Sequence, residues 1–190
     1  MNEPRSDDAL LAAAAAGSLD AFNAFVLRHQ DALYGFCARM VGPDRCEDAT
    51  QEAFVRAWRA VGRYRPGFPR AWLYRIASNV CLDLLRRERR RPASLRIAGD
   101  GDAPIAELPD SAPGPESRAE QAQLRAALER ALAELTAEHR AAVLLCDLQG
   151  WPLAEAAGAL GVPEGTLKSR LHRAHERLRR SVHLEPLRGA

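Results

Sequence analysis

A glycine and a proline two residues apart divide the helical pattern near the end of the chain into two short helices. Apolar residues recur at helical spacing from Pro152 to Leu160, and Gly161 then ends this pattern. Val162-Pro163 begins a second pattern, because glycine is favoured just after a helix and proline at its first position. Two helices joined by a short turn that contains glycine form a helix-turn-helix, whose second helix can enter the major groove of DNA.

The second of these helices, Glu164–Arg180, is strongly basic. Six of its side chains are basic and two are acidic, whereas the whole chain of 190 residues has a formal net charge of only +2. Such a basic element is typical of a nucleic-acid-binding surface. His172 and His175 lie three residues apart, as metal ligands can, but contact with DNA or solvent is the preferred interpretation. Three apolar positions are predicted to face the core: Leu167, Leu171 and Leu178.

The rest of the chain also shows the i, i+3, i+4, i+7 spacing of helices that pack on a core. Ser6, Ser18 and Thr136 stand where helix caps are expected, before residues 7–16, 19–40 and 137–146. Further helices are predicted up to residue 61, over about 70–90 and over 116–135. Convincing period-2 alternation and hairpin dipeptides are absent from the sequence. The predicted fold class is therefore all-α.

Charge and composition divide the chain into three parts. Residues 1–91 carry 15 basic and 11 acidic side chains, residues 92–118 carry two and five, and residues 119–190 carry ten and nine. The middle part is rich in Pro, Gly, Ala and Asp and has no periodicity, which is typical of a linker. We therefore expect two compact helical domains, 1–91 and 119–190, joined by a flexible acidic linker, 92–118.

One loop of the first domain combines aromatic and basic side chains. Ten of the eleven aromatic residues precede residue 75, and several of them, such as Phe22, Phe25, Phe36 and Trp72, are predicted to be core. Tyr64 and Phe68 lie instead in the segment RYRPGFPR, which contains three arginines. Bases of single-stranded DNA stack on aromatic rings while arginine contacts the phosphates, so the loop is a candidate single-strand site. An ordinary turn remains the alternative.

The cysteines are interpreted as structural. Cys37, Cys46, Cys81 and Cys146 are scattered and form no CxxC pair, so buried apolar thiols are the simplest interpretation. Zinc binding and a redox disulfide are the alternatives. The sequence contains no nucleophile motif, phosphate loop or metal-ligand cluster, so we expect no catalytic residue, no metal and no cofactor, and the protein is predicted not to be an enzyme.

The expected location is the cytoplasm. No apolar run approaches the roughly 18 residues that span a bilayer, so direct membrane insertion is not expected. The alanine-rich N-terminal stretch follows Asp7 and Asp8 rather than a basic segment, so it does not fit a signal peptide.

Two long segments are similar to the two domains of one protein family. The segment DATQEAFVRAWRAVGRYRPGFPRAWLYRIASNVCLDLLRR spans residues 48–87, and AEAAGALGVPEGTLKSRLHRAHERLRR spans residues 154–180. The first resembles the promoter-melting domain, called region 2, of extracytoplasmic-function sigma factors of the sigma-70 family. The second resembles their region 4, which binds the upstream promoter element. Both segments together, in this order, make the resemblance specific over nearly the whole chain.

The resemblance implies a transcription factor that acts with core RNA polymerase. A sigma factor binds the core enzyme, directs it to promoter DNA and opens the duplex, without a small-molecule substrate. Domain 1–91 would then bind the polymerase and read the melted −10 element, and domain 119–190 would read the −35 element as duplex. Members of the family are commonly held inactive by an anti-sigma factor, which is therefore an expected partner.

The resemblance also assigns candidate residues to each surface. Polymerase-binding positions are Asp48, Gln51, Glu52, Phe54, Val55 and Trp58. Candidates for the −10 element are Ala60, Arg63, Tyr64, Arg65, Phe68, Arg70, Arg75 and Asn79, with Arg86 and Arg87 as further phosphate contacts. Candidates for the −35 element are Gly165, Thr166, Lys168, Ser169, Arg170, His172 and Arg173. For Phe54 and Trp58, core packing is an equally good interpretation.

Two rival functions are open at this point. A repressor or activator that binds only duplex DNA would also carry a helix-turn-helix, although the polymerase-docking helix and the Tyr64 loop argue against it. A redox-sensing regulator would use the cysteines. The acidic linker is either a plain spacer or a mimic of nucleic acid that enters a basic channel of the polymerase.

Overall fold

The computed structural model describes residues 6–90 and 115–181, and all regular secondary structure in these ranges is helical. The α-helices are α1 (Asp7–Ala15), α2 (Leu19–Val41), α3 (Pro43–Ala60), α4 (Pro69–Arg90), α5 (Pro115–Ala133), α6 (Ala137–Val143), α7 (Leu153–Leu160) and α8 (Glu164–Arg179). None of the helices in these ranges has the length and apolar content needed to cross a bilayer. The all-α prediction is confirmed.

Three helices begin at the caps that the sequence indicates. The hydroxyl oxygens of Ser6 and Ser18 each accept a hydrogen bond, at 3.2 Å, from the amide three residues later. Thr136 accepts the amide of His139 in the same way at 3.4 Å. Each cap satisfies one of the amides that the first turn of a helix leaves without a partner.

The first four helices form a bundle around an aromatic core. Phe22, Phe25 and Phe36 are buried as predicted, whereas Trp72 is half-buried. The prediction of buried thiols is confirmed for three of the four cysteines, since Cys146 is only half-buried. The sulfur atoms of Cys37 and Cys81 lie 3.9 Å apart as free thiols between α2 and α4.

The sixth helix changes its winding part-way along. The sequence predicts one helix over 137–146, but the α-helix ends at Val143 and a π-helical turn, Leu144–Leu148, follows. The Trp151 amide donates to the Leu145 carbonyl at 3.0 Å and fixes the exit from this turn. The wider turn places Trp151 under α4, and a π-helical turn of this kind often occurs at a functional site.

The two sequence domains pack directly on each other. The contact is made mainly by α4 and α7. The Trp151 ring centroid lies 4.8 Å from that of Tyr74, and only 4% of Trp151 is exposed. One contiguous apolar cluster therefore includes residues of both halves. Sequence analysis predicts a linker between the domains but not this contact.

The segment predicted as a linker, 92–118, lies largely outside the described residues. Its last four residues belong to α5, which begins at Pro115. The second helical unit therefore begins four residues before the predicted boundary.

Arg140 forms a second connection between the two halves. Its guanidinium Nη1 donates to the carbonyl of Met40, the penultimate residue of α2, at 2.8 Å. Its other nitrogens donate to three carbonyls at the C-terminal end of α5, those of Leu132, Ala133 and Leu135, at 2.9–3.4 Å. Burial lowers the pKa of Arg140 from its ordinary value. One side chain therefore caps α5 and joins it to α2.

We predict that Arg140→Met lowers the free energy of unfolding by about 2–3 kcal/mol, because several hydrogen bonds from a charged donor are lost and partly buried carbonyls are left unpaired. Urea denaturation followed by circular dichroism measures the change. Arg130→Met is the matched control, since Arg130 donates to one exposed carbonyl on its own helix, that of Ala126. A similar small loss in both variants would contradict the prediction.

Candidate nucleic-acid interface

The turn between α7 and α8 has the geometry that the sequence predicts for a helix-turn-helix. Gly161 is left-handed, with φ 65° and ψ 34°. Its amide donates to the Gly158 carbonyl at 3.2 Å, and the Val162 amide donates to the Ala157 carbonyl at 3.1 Å. This pair of bonds is a Schellman motif, which favours glycine at the left-handed position. Pro163 immediately precedes α8 rather than occupying its first position.

Helix α8 has one buried and one exposed face. Leu167 and Ala174 are buried, and Leu171 and Leu178 are half-buried against the core, as expected of the three leucines. The predicted −35 residues lie elsewhere on the helix: Gly165, Thr166, Lys168, Ser169, His172 and Arg173 are exposed, and Arg170 is half-buried. Lys168 and His172 are four residues apart and so share a face, as do Ser169 and Arg173. The exposed side of α8 is thus polar and basic.

The positive charges of α8 also act on His139 of the neighbouring helix α6. Burial lowers the pKa of His139, and the charges of Arg173 and Arg170 lower it further while Glu138 acts in the opposite direction. His139 is therefore disfavoured as a cation beside this helix. An acidic ligand, such as a DNA phosphate, would experience the same field as an attraction.

The two histidines of α8 have separate neighbours. His172 lies 3.9 Å from the Glu176 carboxylate on the same helix, and His175 lies 2.7 Å from the Asp147 carboxylate. Across residues 6–90 and 115–181, no three His, Cys, Asp or Glu side chains are grouped as a metal ion would require. The contact with Asp147 ties His175 to the π-helical turn, which leaves His172 as the freer of the two.

The loop between α3 and α4 presents an aromatic ring to solvent. A 3₁₀ turn, Val61–Arg63, leads into it. Gly67 has a φ of 123°, a backbone conformation that residues other than glycine rarely adopt. Phe68 is 70% exposed at the end of the loop, beside the exposed Arg65. Tyr64 is half-buried instead, with its ring centroid 5.2 Å from that of Trp72.

The carboxylate of Asp8 holds this loop from the first helix. The Tyr64 hydroxyl donates to Asp8 Oδ1, and the Gly67 amide donates to the same oxygen at 3.0 Å. These two bonds lower the pKa of Asp8. Burial, and then the bond to Asp8, raise the pKa of Tyr64. The sequence carries no signal for this contact, because Asp8 and Tyr64 are 56 residues apart.

The predicted −10 residues of α4 are divided between the domain contact and solvent. The Arg70 guanidinium lies 4.2 Å from the Trp151 ring centroid, a cation–π contact, and its Nη2 donates to Gln149 at 3.5 Å. The Arg75 guanidinium lies across Gly161, where an added Cβ would meet it at 3.4 Å. Asn79 is exposed one turn further along α4. Sequence reasoning assigns no function to Trp151 or Gln149.

Helix α3 has a groove on each side. The groove against α4 has a volume of about 450 Å³, and four of the predicted polymerase-binding residues line it: Asp48, Gln51, Glu52 and Val55. The groove against α2 has a volume of about 320 Å³ and is lined by Phe54 and again by Gln51, among others. Arg56 crosses the first groove, bonded to Glu52 at 2.7 Å and to Asp83 at 3.5 Å.

Phe54 and Trp58 both pack on the core and keep surface exposed. Phe54 is half-buried against the core cluster. The Trp58 ring centroid lies 5.1 Å from that of Phe22, yet 36% of Trp58 is exposed, as is 42% of Val55 one turn earlier. Core packing and a surface available to the polymerase, the two interpretations given to these aromatic residues, are therefore compatible with each other. Ala60, the remaining −10 candidate on α3, is half-buried at its end.

Comparison with protein families matches both halves of the chain. The family model for sigma-70 region 2 matches residues 25–91, and the model for sigma-70 region 4 matches residues 125–178. The first contains the grooves of α3 and the loop of Phe68. The second contains the helix-turn-helix.

Relatives are similar over most of the chain. The extracytoplasmic-function sigma factor SigM of Mycobacterium tuberculosis is 40% identical over 179 residues, which cover 93% of this chain and 84% of SigM. SigE of Mycolicibacterium smegmatis is 38% identical over 163 residues, 85% of this chain, and the match spans only 62% of SigE.

A solved structure has the same fold. The sigma factor RpoE of Bartonella quintana, in complex with the anti-sigma factor NepR, superposes with a TM-score of 0.65 at 25% identity, over 90% of this chain and 99% of RpoE. The two family models, the relatives and this solved structure all belong to sigma factors. The chain belongs to the extracytoplasmic-function sigma factors of RNA polymerase.

Proposed function

We propose that this sigma factor binds core RNA polymerase, reads the −35 element as duplex with α8, and reads the −10 element as melted single strand with the loop of Phe68 and the adjacent part of α4. The observation that carries the proposal is that one chain has two different surfaces whose chemistry suits nucleic acid. The basic face of α8 suits the major groove. An exposed aromatic ring in an arginine-containing loop suits unpaired bases, since the faces of the bases are stacked on each other inside a duplex and cannot be reached.

The polymerase would dock on the two grooves of α3. The grooves combine carboxylates, such as Asp48 and Glu52, with the exposed apolar surface of Val55. Apolar side chains beside polar ones are suited to a partner that lays helices along a helix. Gln51 borders both grooves and so would lie at the centre of the contact.

The proposal includes one regulatory partner and a location. An anti-sigma factor is supported by the complex of the similar protein RpoE with NepR. The family consists of DNA-binding initiation factors, so the chemistry of RNA synthesis would be that of the polymerase and this chain would not itself be an enzyme. We infer that it acts in the cytoplasm, where the polymerase and the promoters are.

Reconstituted run-off transcription tests the function. Core polymerase on a promoter library should start at discrete sites only when the protein is added. Val55→Asp should abolish these starts while the protein still binds duplex DNA, because a charge is placed in the proposed docking groove. Leu27→Asp, at a 67% exposed apolar position of α2 outside both grooves, is the control and should be active. Tight duplex binding without any effect on the polymerase would instead identify a repressor or activator.

We predict that Arg173→Ala weakens binding to the preferred −35 site more than binding to random duplex, because a bidentate contact of arginine with guanine is worth about 1–3 kcal/mol. Titration of labelled duplexes at constant salt measures both affinities. Arg179→Ala, at the exposed end of α8, should weaken both equally. An equal loss on both duplexes for Arg173→Ala would mean that this side chain contacts only phosphate.

Substitutions in the loop test single-strand reading. Phe68→Ala should lower open-complex formation about fivefold to a hundredfold, because stacking of a base is worth about 1–3 kcal/mol. The folding stability of Phe68→Ala should equal that of the wild type, since the ring is mostly exposed. Tyr64→Ala should lower both opening and stability, because it also removes the packing on Trp72 and the bond to Asp8.

Permanganate footprinting of unpaired thymines measures the open complex. A template with a mismatched −10 region should restore part of the loss, since the cost of unpairing is removed. If Phe68→Ala opens normal duplex at the wild-type rate while a stably folded Tyr64→Ala does not, then base capture depends on Tyr64 rather than on Phe68. If both variants open it normally, base capture does not occur in this loop.

A further inference from the structure

We propose that Asp8 is the positioning residue of the −10 loop: it holds the loop in one conformation from the first helix, so that Phe68 and its neighbouring arginines are presented to an unpaired base. The proposal rests on the proposed function of the loop and adds a residue that neither the sequence resemblance nor the α3–α4 segment contains. Its basis is the pair of bonds that one carboxylate oxygen accepts from Tyr64 and Gly67.

The two bonds span the part of the loop that has few other restraints. Residues 65–68 are exposed, and the backbone bonds of the loop lie at its ends, from the Tyr64 amide to Val61 and from the Trp72 amide to Phe68. Asp8 binds the residue just before the exposed part, Tyr64, through a side chain and the third residue of the exposed part, Gly67, through the backbone. The ring of Phe68 follows directly, so its direction depends on the conformation of Gly67.

At neutral pH the tie, meaning the two bonds that Asp8 accepts from the loop, has its stronger form with an ionised carboxylate. The pKa of Asp8 is lowered and that of Tyr64 is raised, so the carboxylate is charged and the hydroxyl keeps its proton. Hydrogen bonds to a charged acceptor are shorter and stronger than neutral ones. Because the pKa of Asp8 is lowered in the folded state, its contribution is complete above the ordinary pKa of aspartate and is lost only as the pH falls below it.

Helix α1 is itself held firmly, which makes it a suitable anchor. Asp7 bonds to Arg28 at 3.0 Å and to His29 at 2.7 Å, both on α2. Leu10 and Leu11 are buried in the core. The two adjacent acids therefore have different tasks: Asp7 fixes α1 to α2, and Asp8 fixes the loop to α1.

A loop that is already in its binding conformation loses less conformational entropy when it captures a base. Removal of the tie should therefore weaken base capture without removing any group that touches the base. This distinguishes a positioning residue from a contact residue. It also predicts that loss of the Tyr64 hydroxyl weakens base capture in the same direction as loss of Asp8, which accepts one bond more.

The test uses holoenzyme assembled from core polymerase and each variant, with open complexes measured by permanganate footprinting. Asp8→Ala, which removes both bonds, should lower opening of normal duplex at least tenfold, and Tyr64→Phe, which removes one charge-assisted bond, should lower it by about tenfold or less. The double variant should be no worse than Asp8→Ala alone, because Asp8→Ala already removes the bond that Tyr64→Phe breaks. Asp8→Asn, whose amide oxygen can still accept both bonds, should retain most of the activity.

A premelted −10 template separates positioning from a general loss of structure. It should restore part of the opening of Asp8→Ala, whereas a misfolded protein would remain inactive on it. Asp20→Ala, which removes an exposed acid from the first turn of α2, is the matched control and should behave as wild type. Polymerase binding should be equal in all variants.

Wild-type opening by Tyr64→Phe would overturn the proposal even if Asp8→Ala failed to fold, because Tyr64→Phe removes only the hydroxyl. The proposal would also be overturned if the fold loss of the double variant equalled the product of the losses of the two single variants, since the two residues would then act separately. If Phe68→Ala lowers opening and Asp8→Ala does not, only this proposal is wrong. If neither Phe68→Ala nor Tyr64→Ala lowers opening, the single-strand function of the loop fails together with it.

Discussion

The burial of Trp151 between the two halves of the chain is the contact on which the observed arrangement depends. Its ring packs against Tyr74 of α4 and lies under the Arg70 guanidinium, while the π-helical turn before it sets its position. Without this ring, Tyr74 of α4 would lose its aromatic contact with the C-terminal half of the chain. The helix-turn-helix is thereby held beside the helix that carries the −10 candidates, and both candidate nucleic-acid surfaces rest on one core.

Local signals in the sequence predict most of the fold. The caps at Ser6, Ser18 and Thr136 and the left-handed Gly161 each act within a few residues, so a reader of the sequence can place the helix ends from the chemistry of single side chains. The apolar spacing of α8 similarly predicts which face is buried. The helix-turn-helix and the exposure of most of its −35 candidates follow from these two local patterns.

The features that the sequence does not reveal are contacts between distant residues. The bond from Tyr64 to Asp8 and the packing of Trp151 on Tyr74 join positions whose separation leaves no periodic pattern. The π-helical turn is also missed, because its residues have the same apolar spacing as an α-helix and differ only in which carbonyls they bond. For Tyr64 the residue type indicates a stacking ring, whereas the structure adds a partially buried setting that composition cannot indicate.

The packing of α7 on α4 covers one face of α4. A ligand of that face would have to compete with α7, so its affinity would depend on how readily the two domains separate. If such a ligand binds only molecules in which α4 is bare, its dissociation constant would be the intrinsic one divided by the fraction of those molecules, so a fraction of about one in a hundred would weaken apparent binding about a hundredfold. The Trp151 indole nitrogen is buried without a hydrogen-bond partner among the described residues. It would gain contact with water if the domains separated, which would lower the free energy of that separation.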